Sequence, residues 1–237
     1  MINRKPFRFK QFEVDDNKCA MKVGTDAVIL GAWANVCNAE TILDIGTGCG
    51  LIALMLAQRS NAKITAIEID ESASLQCKEN FMASPWLERL DSIHGSIQQF
   101  NPGDGFDFIV CNPPFFKNAL KAPDAQRNIA RHNDTLSFEG LLVAVDRLLT
   151  KEGTFAFILP NDEANQVIKL AVAHQLYPNR SCTVLSRDGK LSSRLLVELS
   201  RMSSGIISET LTIRDRSNQY TLEYKELTKD FYLFLSK

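Results

Sequence analysis

Two short groups of residues carry the types and spacing that chemistry requires. The first is Asp44 with Gly46, Gly48 and Gly50, in the run DIGTGCG. Glycine lets a backbone turn tightly and lets a ligand press against it. The spacing G-x-G-x-G differs from the G-x-G-x-x-G of dinucleotide sites, and a carboxylate beside the turn suits a ligand with a positive amino group. This group predicts a site for an adenosine-containing cofactor such as S-adenosylmethionine, with a plain connecting loop as the alternative.

The second group is Asn112-Pro113-Pro114-Phe115. The Asn112 side-chain oxygen and the Pro113 carbonyl offer two acceptors, and the prolines fix the chain direction without amide hydrogens of their own. Two acceptors engage both hydrogens of one NH2 group, which leaves the nitrogen lone pair to attack an electrophilic methyl. Phe115 offers a flat face to a planar base or amide. The group therefore predicts methyl transfer to an exocyclic amine, although N-P-P alone is a common strand-to-turn sequence.

Parallel strands are the elements that would bring these two groups together. Apolar and β-branched runs predict buried strands, several of them followed by a helical pattern. The predicted strands span residues 41–45, 63–70, 91–94, 106–112 and 153–160. Two later strands, 180–186 and 193–200, are joined by a loop and predict an antiparallel edge on a parallel sheet. The prediction is an α/β fold in which ligands bind at the carboxyl ends of the strands.

Residues near the strand ends extend the predicted cofactor site. Glu68 lies near the end of the second predicted strand, where an acid binds ribose hydroxyls, and Asp70 is predicted to cap the next helix. Ser96 follows the third strand and could meet an adenine edge, whereas Thr25 is a plausible N-cap of a helix whose polar start could face the ligand. The predicted cofactor-binding residues are Lys22, Thr25, Asp26, Asp44, Gly46, Gly48, Gly50, Glu68, Ile69, Ser96, Ile97 and Asn112.

Bulk properties exclude several classes of protein. The 237 residues carry a net charge of -1, so no global positive field indicates nucleic acid. No apolar run is long enough to predict a membrane span. Six scattered cysteines without a C-x-x-C pair predict reduced thiols in the cytoplasm, and three isolated histidines predict no metal site. We expect a single domain over 1–237, with an N-terminal basic and aromatic arm (1–24) and a C-terminal hairpin and closing helix (205–237).

Two basic segments are candidates for contact with nucleic acid. The loop 117–134 is long and polar and contains Lys117, Lys121, Arg127, Arg131 and His132. Loops of this length in compact domains are often functional, and this one is the predicted phosphate contact. The N-terminal arm mixes phenylalanines with lysines and arginines, which suits contact with phosphates and bases. The alternatives are a solvated loop and a tail that packs its rings on the domain.

The two groups, with Glu68, resemble the class I S-adenosylmethionine-dependent methyltransferases that act on N6 of adenine or N5 of glutamine. Longer stretches resemble the bacterial tRNA1(Val) (adenine-N6)-methyltransferase family, whose members modify the adenine just 3′ of the anticodon. These stretches are MKVGTDAVILGAW (21–33), NPPFF (112–116), ARH (130–132) and LTKDFYLF (227–234). Two departures are Ser96, where many relatives have an aspartate for the cofactor adenine, and Phe115, which replaces a frequent tyrosine.

The resemblance implies a Rossmann-like, mainly parallel seven-stranded sheet with an antiparallel edge strand and helices on both faces. It implies S-adenosylmethionine as cofactor, tRNA as substrate and catalytic roles for Asn112, Pro113, Pro114 and Phe115. Three alternatives stay open. A protein glutamine N5-methyltransferase usually carries a further N-terminal helical domain, for which the short segment before Thr41 leaves little room. A DNA adenine N6-methyltransferase would need a target-recognition domain, and the intact Asn112-Pro113-Pro114 argues against a non-catalytic scaffold.

Overall fold

An eight-stranded sheet between two layers of helices forms the centre of the protein. The computed structural model describes residues 5–113, 136–203 and 205–233. The strands are β1 (Phe7–Arg8), β2 (Glu13–Val14), β3 (Thr41–Ile45), β4 (Lys63–Glu68), β5 (Leu90–His94), β6 (Phe106–Cys111), β7 (Leu149–Leu159), β8 (Tyr177–Leu185), β9 (Arg194–Ser200) and β10 (Ile207–Thr212). The helices are α1 (Thr25–Trp33), α2 (Leu51–Arg59), α3 (Glu71–Met82), α4 (Phe138–Leu148), α5 (Asn161–Ala171) and α6 (Leu222–Thr228).

The strand order of the central sheet is β10-β8-β9-β7-β6-β3-β4-β5. Every neighbouring pair is parallel except the two pairs that β9 makes with β7 and β8. From β3 the chain proceeds outward to β4 and β5, and it then returns to β6 on the other side of β3. This reversal of direction between β3 and β6 opens a crevice at the carboxyl ends of the strands, where α/β proteins bind ligands. We call this side of the molecule the carboxyl end of the sheet.

The predicted α/β fold is confirmed, with two corrections to the sheet. It has eight strands where seven were expected, and the antiparallel strand β9 lies inside the sheet between β7 and β8. The outermost strand on that side is β10, which runs parallel to β8. The burial of the residues gives the physical reason for the places of β9 and β10. The last five residues of β9 are buried, as suits an interior strand, whereas four of the six residues of β10 are exposed.

The two faces of the sheet bury separate hydrophobic clusters. Ile42 points into the cluster covered by α1, α2 and α3, whereas its neighbour Leu43 points into the cluster covered by α4 and α5. This alternation is the period of two that a strand imposes on its side chains. Within the described residues, no helix is both long and apolar enough to pass through a membrane.

The N-terminal arm packs against the body of the protein. Phe9 and Phe12 are buried, and their rings stack with centroids 4.7 Å apart. Phe12 meets Trp86 edge-on at 5.7 Å, and the backbone N–H of Lys10 donates to the Phe231 carbonyl at 2.8 Å. The described part of the arm therefore adopts the arrangement expected of a tail that packs its rings on the domain.

The C-terminal segment contains the predicted turn and helix. After β10, Arg214 and Tyr220 form a single antiparallel bridge across a turn that contains Asn218. Helix α6 follows, with Thr221 as its N-cap accepting from the Tyr224 N–H at 3.1 Å.

Candidate active site

A cavity of about 330 Å³ lies at the carboxyl end of the sheet. Its walls come from the turn between β3 and α2, the ends of β4 and β6, the residues after β5, the start of α4 and the segment before α1. The predicted site residues that line it are Lys22, Gly46, Gly48, Glu68, Ile69, Ser96, Ile97, Asn112 and Pro113. The predicted site residues Thr25, Asp26, Asp44 and Gly50 are not among the lining residues. Both groups of residues singled out in the sequence thus reach one cavity.

Glycine is required at the three positions of the turn for different structural reasons. Gly46, Gly48 and Gly50 all have positive φ, at 67°, 58° and 83°, a region that disfavours L side chains. A Cβ atom on Gly46 or Gly48 would meet nothing within 4 Å, so the space beside them is open to a ligand. A Cβ atom on Gly50 would instead lie 2.7 Å from the Phe81 ring and 2.9 Å from the Cys77 sulfur. Gly50 therefore allows close packing of α3 against the turn.

Asp44 lies behind the turn and is only 1% exposed. Its Oδ2 accepts from the Thr47 hydroxyl at 2.6 Å and from the Ala53 N–H at 3.2 Å. Burial raises the pKa of Asp44 to about 7, the two hydrogen bonds oppose the rise, and the charge of Glu68 adds to it. Asp44 thus connects the glycine turn to the first turn of α2, and its expected contact with the cofactor's amino group stays a prediction.

Glu68 ends β4 and faces the cavity. Its Oε2 accepts from the Gly48 N–H at 2.9 Å, and its Oε1 accepts from the Asp70 N–H at 3.0 Å. A carboxylate has about four acceptor sites, so both oxygens retain capacity for a further donor such as a ribose hydroxyl. Asp70 caps α3 by accepting from the Ala73 N–H at 2.8 Å, as predicted.

The predicted polar residues around the start of α1 have other partners. The Lys22 ammonium donates to the carbonyls of Asp16, Asn17 and Cys19 at 2.6, 3.3 and 2.8 Å, which organises the loop that forms one wall of the cavity. Helix α1 begins at Thr25 and has Gly24 as its N-cap, with no side-chain hydrogen bond, so the predicted cap at Thr25 is wrong. Asp26 pairs with Arg194 at 2.7 Å, which joins α1 to the start of β9.

Ser96 works together with a residue that the sequence did not single out. The Gln98 backbone N–H donates to the Ser96 Oγ at 3.3 Å, and the Ser96 hydroxyl donates to the Gln98 Oε1 at the same distance. Both residues line the cavity, and Ile97 between them is buried. A hydroxyl and an amide side chain therefore provide the polar groups of this part of the cavity wall.

Two cysteines of the cavity wall were also missed. Cys19 precedes α1 and Cys49 lies between the last two glycines, and both line the cavity. A hydrogen bond between the thiols lowers the pKa of Cys19 and, with burial, raises that of Cys49. Leu136 and Phe138, at the start of α4, complete the apolar part of the wall. Residues without a distinctive motif give no local signal, so only the packing reveals them.

Asn112 directly follows β6 and presents an acceptor at the cavity. Its Oδ1 is buried, and no described residue donates a hydrogen bond to it. A buried polar atom is normally satisfied, so such an atom at a cavity wall indicates a ligand that donates to it. Pro113 lines the same wall. Pro114, Phe115 and the loop 117–134 lie outside the described residues.

The sequence matches a known protein family over most of its length. A family model described as "methyltransferase small domain" matches residues 21–191. The chain is 49% identical to a tRNA1(Val) (adenine(37)-N6)-methyltransferase of Bacteroides thetaiotaomicron, covering 97% of this chain and 98% of that protein. It is 45% identical to a protein of the same name in Pseudoalteromonas translucida, covering 96% and 98%.

Solved structures share the fold at low sequence identity. A predicted O-methyltransferase from Agrobacterium tumefaciens superposes with a TM-score of 0.68 at 15% identity, over 87% of this chain and 96% of that one. The glycopeptide N-methyltransferase MtfA, in complex with S-adenosyl-L-methionine, gives 0.57 at 14% identity, over 78% and 96%. The sequence matches, which span almost the whole chain, go further: the chain belongs to the methyltransferase small domain family and, within it, to the family of tRNA1(Val) (adenine(37)-N6)-methyltransferases.

Proposed function

We propose that the protein transfers the methyl group of S-adenosylmethionine to N6 of adenine 37 in tRNA1(Val). The observation that carries this proposal is the buried Asn112 Oδ1, which has no donor among the described residues and lies in one cavity with the glycine turn. The relatives that share this name match nearly the full length of the chain. The cytoplasmic location stays a prediction, and it agrees with tRNA as the substrate.

The cavity has the features that an adenosine-containing cofactor requires. The open space beside Gly46 and Gly48 admits a ligand against the backbone, and Glu68 retains acceptor sites for the ribose hydroxyls. Ile69 and Ile97 provide apolar surface for the adenine ring, with the Ser96 and Gln98 pair at its polar edge. When bound there, S-adenosylmethionine supplies a methyl group on a positively charged sulfur, which is a strong electrophile.

The protein's own part in the reaction is to hold the amine of the target base. The Asn112 Oδ1 and the Pro113 carbonyl accept one N–H each from the exocyclic NH2 group, and Phe115 stacks on the base. The amine is neutral and the methyl donor reactive, so no strong base is needed and positioning supplies most of the acceleration. A base in an anticodon loop is already unpaired, so its withdrawal into the site costs less than it would from a duplex.

The substitution Asn112→Ala tests this role. We expect kcat for methyl transfer to tRNA1(Val) to fall about 100-fold or more, because one positioned polar group contributes about that much. The dissociation constant of S-adenosylhomocysteine, measured by calorimetry, should stay within about twofold of the wild-type value, since Asn112 contacts the substrate amine. Asn38→Ala, at an exposed position, is the matched control.

The product is identified by nucleoside digestion of the tRNA and mass spectrometry. Wild-type kcat in purified Asn112→Ala would contradict the role of Asn112. The substrate class itself is tested by offering labelled cofactor with total tRNA, DNA or cell protein. Label in protein glutamine or in DNA adenine, with none in tRNA, would contradict the proposed function.

A further inference from the structure

We propose that the loop after β8 (186–193) and the hairpin after β10 (213–220) form a second RNA contact surface, which we call the loop-pair surface. Its ligand would be the phosphate backbone of the tRNA on one side of the target base. This inference rests on the proposed function, which makes tRNA the substrate. It goes beyond that function by assigning binding to residues far from the glycine turn and from Asn112.

Because of the direction of β10, the hairpin that follows it lies at the carboxyl end of the sheet. Strand β10 runs parallel to β8, with Thr212 opposite Leu185 at their last residues. Because β8 is antiparallel to β9 and β9 is antiparallel to β7, both β8 and β10 end at the carboxyl end of the sheet. The cavity and Asn112 lie at the same end. An antiparallel β10 would have carried the hairpin to the opposite end.

The two loops are interlocked and thus held in place. The backbone N–H of Asp188 donates to the Arg214 carbonyl at 2.8 Å, and the Asp188 carboxylate pairs with the Arg216 Nε at 2.8 Å. Arg187 donates to the Asn218 side-chain oxygen. These three links join the tip of one loop to the tip of the other, so their charges are presented as one surface.

The surface carries more positive than negative charge. Its cations are Arg187, Lys190, Arg214 and Arg216, and its anions are Asp188 and Asp215, which leaves +2 on a chain of net charge -1. The Arg214 guanidinium lies 3.9 Å from the centre of the Tyr220 ring and donates to the Asn218 carbonyl at 2.7 Å.

The anions of this surface have donors within it. The Asp215 carboxylate accepts from the Gln219 N–H at 2.9 Å, and Asp188 is paired with Arg216. Lys190 is exposed, and the Arg216 side chain is 82% exposed, so both cations can reach a ligand in solvent.

The loop-pair surface lies within reach of a nucleic acid bound at Asn112. Asn161, just after the end of β7, exchanges hydrogen bonds with Ser192 at 3.1 and 3.2 Å. Within the sheet, β8 is three strands from β6 and β10 is four, so the surface lies three to four strand spacings from Asn112. The backbone of nucleotides next to the target base can cover that distance.

Two cations in the first half of the N-terminal arm, Arg8 and Lys10, lie elsewhere. Lys10 contacts the Phe231 and Lys229 carbonyls beside the C-terminal end of α2, where Gln58 meets Asp230, so this part of the arm lies at the opposite end of the sheet. Arg8 is paired with Glu13 at 2.8 Å. The loop-pair surface is therefore better placed than Arg8 and Lys10 to bind RNA near the active site.

The test is the double substitution Lys190→Glu and Arg216→Glu in the full chain, with Lys151→Glu and Lys169→Glu as the matched control. The control makes the same change of charge at exposed positions near the amino end of β7 and the carboxyl-terminal end of α5. We expect the dissociation constant for tRNA1(Val) to rise at least tenfold in the loop-pair variant and to change less than twofold in the control. The logarithm of the association constant for tRNA1(Val) falls linearly with the logarithm of the salt concentration. The magnitude of this slope should decrease by about 1.4 if two phosphate contacts are lost.

Three further readouts separate RNA binding from misfolding and from failure of the proposed function. The affinity for S-adenosylhomocysteine and kcat at saturating tRNA should match those of the control variant. The thermal midpoint should lie within about 2 to 4 °C of the control, because the pair that Arg216 makes with Asp188 is exposed and contributes about 1 kcal/mol or less. Equal tRNA affinity and equal salt slope in the two variants, with wild-type protein active on tRNA, would overturn this inference alone. Wild-type protein that transfers no methyl to tRNA would overturn the proposed function, and this inference with it.

Discussion

At Asp44 a single carboxyl group is enclosed beneath the glycine turn. One oxygen accepts from Thr47 and Ala53, and the other has no hydrogen-bond partner among the described residues. Burial raises its pKa to about 7, against an ordinary value of 3.8, because the charged form loses water. A group with a raised pKa in the folded state stabilises the fold fully below its ordinary pKa, and this contribution is lost as the pH rises through the folded value.

The substitution Asp44→Asn therefore predicts a change in the pH dependence of stability. The free energy of unfolding of wild-type protein should fall between pH 5 and pH 8 by about 2 to 3 kcal/mol more than that of the variant, since one pKa unit corresponds to ~1.4 kcal/mol. Urea unfolding at several pH values measures this difference. Parallel pH profiles for the two proteins would show that Asp44 does not hold a proton in the folded state.

Among the elements, the turn between β3 and α2 combines a ligand face with a packing face. Gly46 faces open space, whereas Gly50 faces the Phe81 ring and the Cys77 sulfur of α3. A side chain at any of the three glycine positions would be strained by the positive φ, but only a side chain at position 50 would also clash with its neighbours. The position of α3, and with it the Asp70 cap after Glu68, depends on the missing side chain at Gly50.

Alanine at the two positions should separate these roles. Gly46→Ala should destabilise by about 1 to 2 kcal/mol from the positive φ alone, and it should weaken S-adenosylhomocysteine binding because its methyl group enters the cavity. Gly50→Ala should lower the free energy of unfolding by about 1 to 3 kcal/mol more than Gly46→Ala does, because its methyl group overpacks the contact with α3. Calorimetry measures the first effect and urea unfolding the second. A larger loss of stability in Gly46→Ala than in Gly50→Ala would contradict the assigned packing role.

At the scale of the whole molecule, the first and last described segments of the chain are joined on the side away from the active site. Phe9 forms an isolated bridge with Tyr232, and Phe12 is 5% exposed against Trp86. From there the chain passes Asn80, which bonds the backbone of Asp15, and reaches the cavity at Cys19. The arm thus supports the cavity wall through packing.

Phe12→Ala should lower the free energy of unfolding by about 3 to 5 kcal/mol, because the ring is buried. Phe7→Ala, where the ring is 40% exposed, is the control and should cost clearly less. The tRNA affinity of the Phe7→Ala protein should equal that of wild type, since Phe7 lies with Tyr232 at the amino end of the sheet. Equal destabilisation by the two substitutions, or weaker tRNA binding by Phe7→Ala, would contradict this role of the arm.

The sequence by itself determined the local features of the site. Positive φ demands glycine at Gly46 and Gly48, and the carboxyl ends of parallel strands converge, so the convergence of the glycine turn, Glu68 and Asn112 could be predicted. The apolar and β-branched runs likewise predicted most of the strands, and the acid after β4 predicted the cap at Asp70.

Only the tertiary structure decided features that depend on contacts between residues distant in the chain. Asp44 lies behind the turn because α2 folds back to present the Ala53 N–H, and a carboxylate in DIGTGCG has the same letters whether it faces a ligand or the core. Strand periodicity shows which residues are buried but not which strand is the neighbour, so the interior place of β9 and the parallel direction of β10 could not be predicted. The pairing of Asp188 with Arg216 follows from that direction.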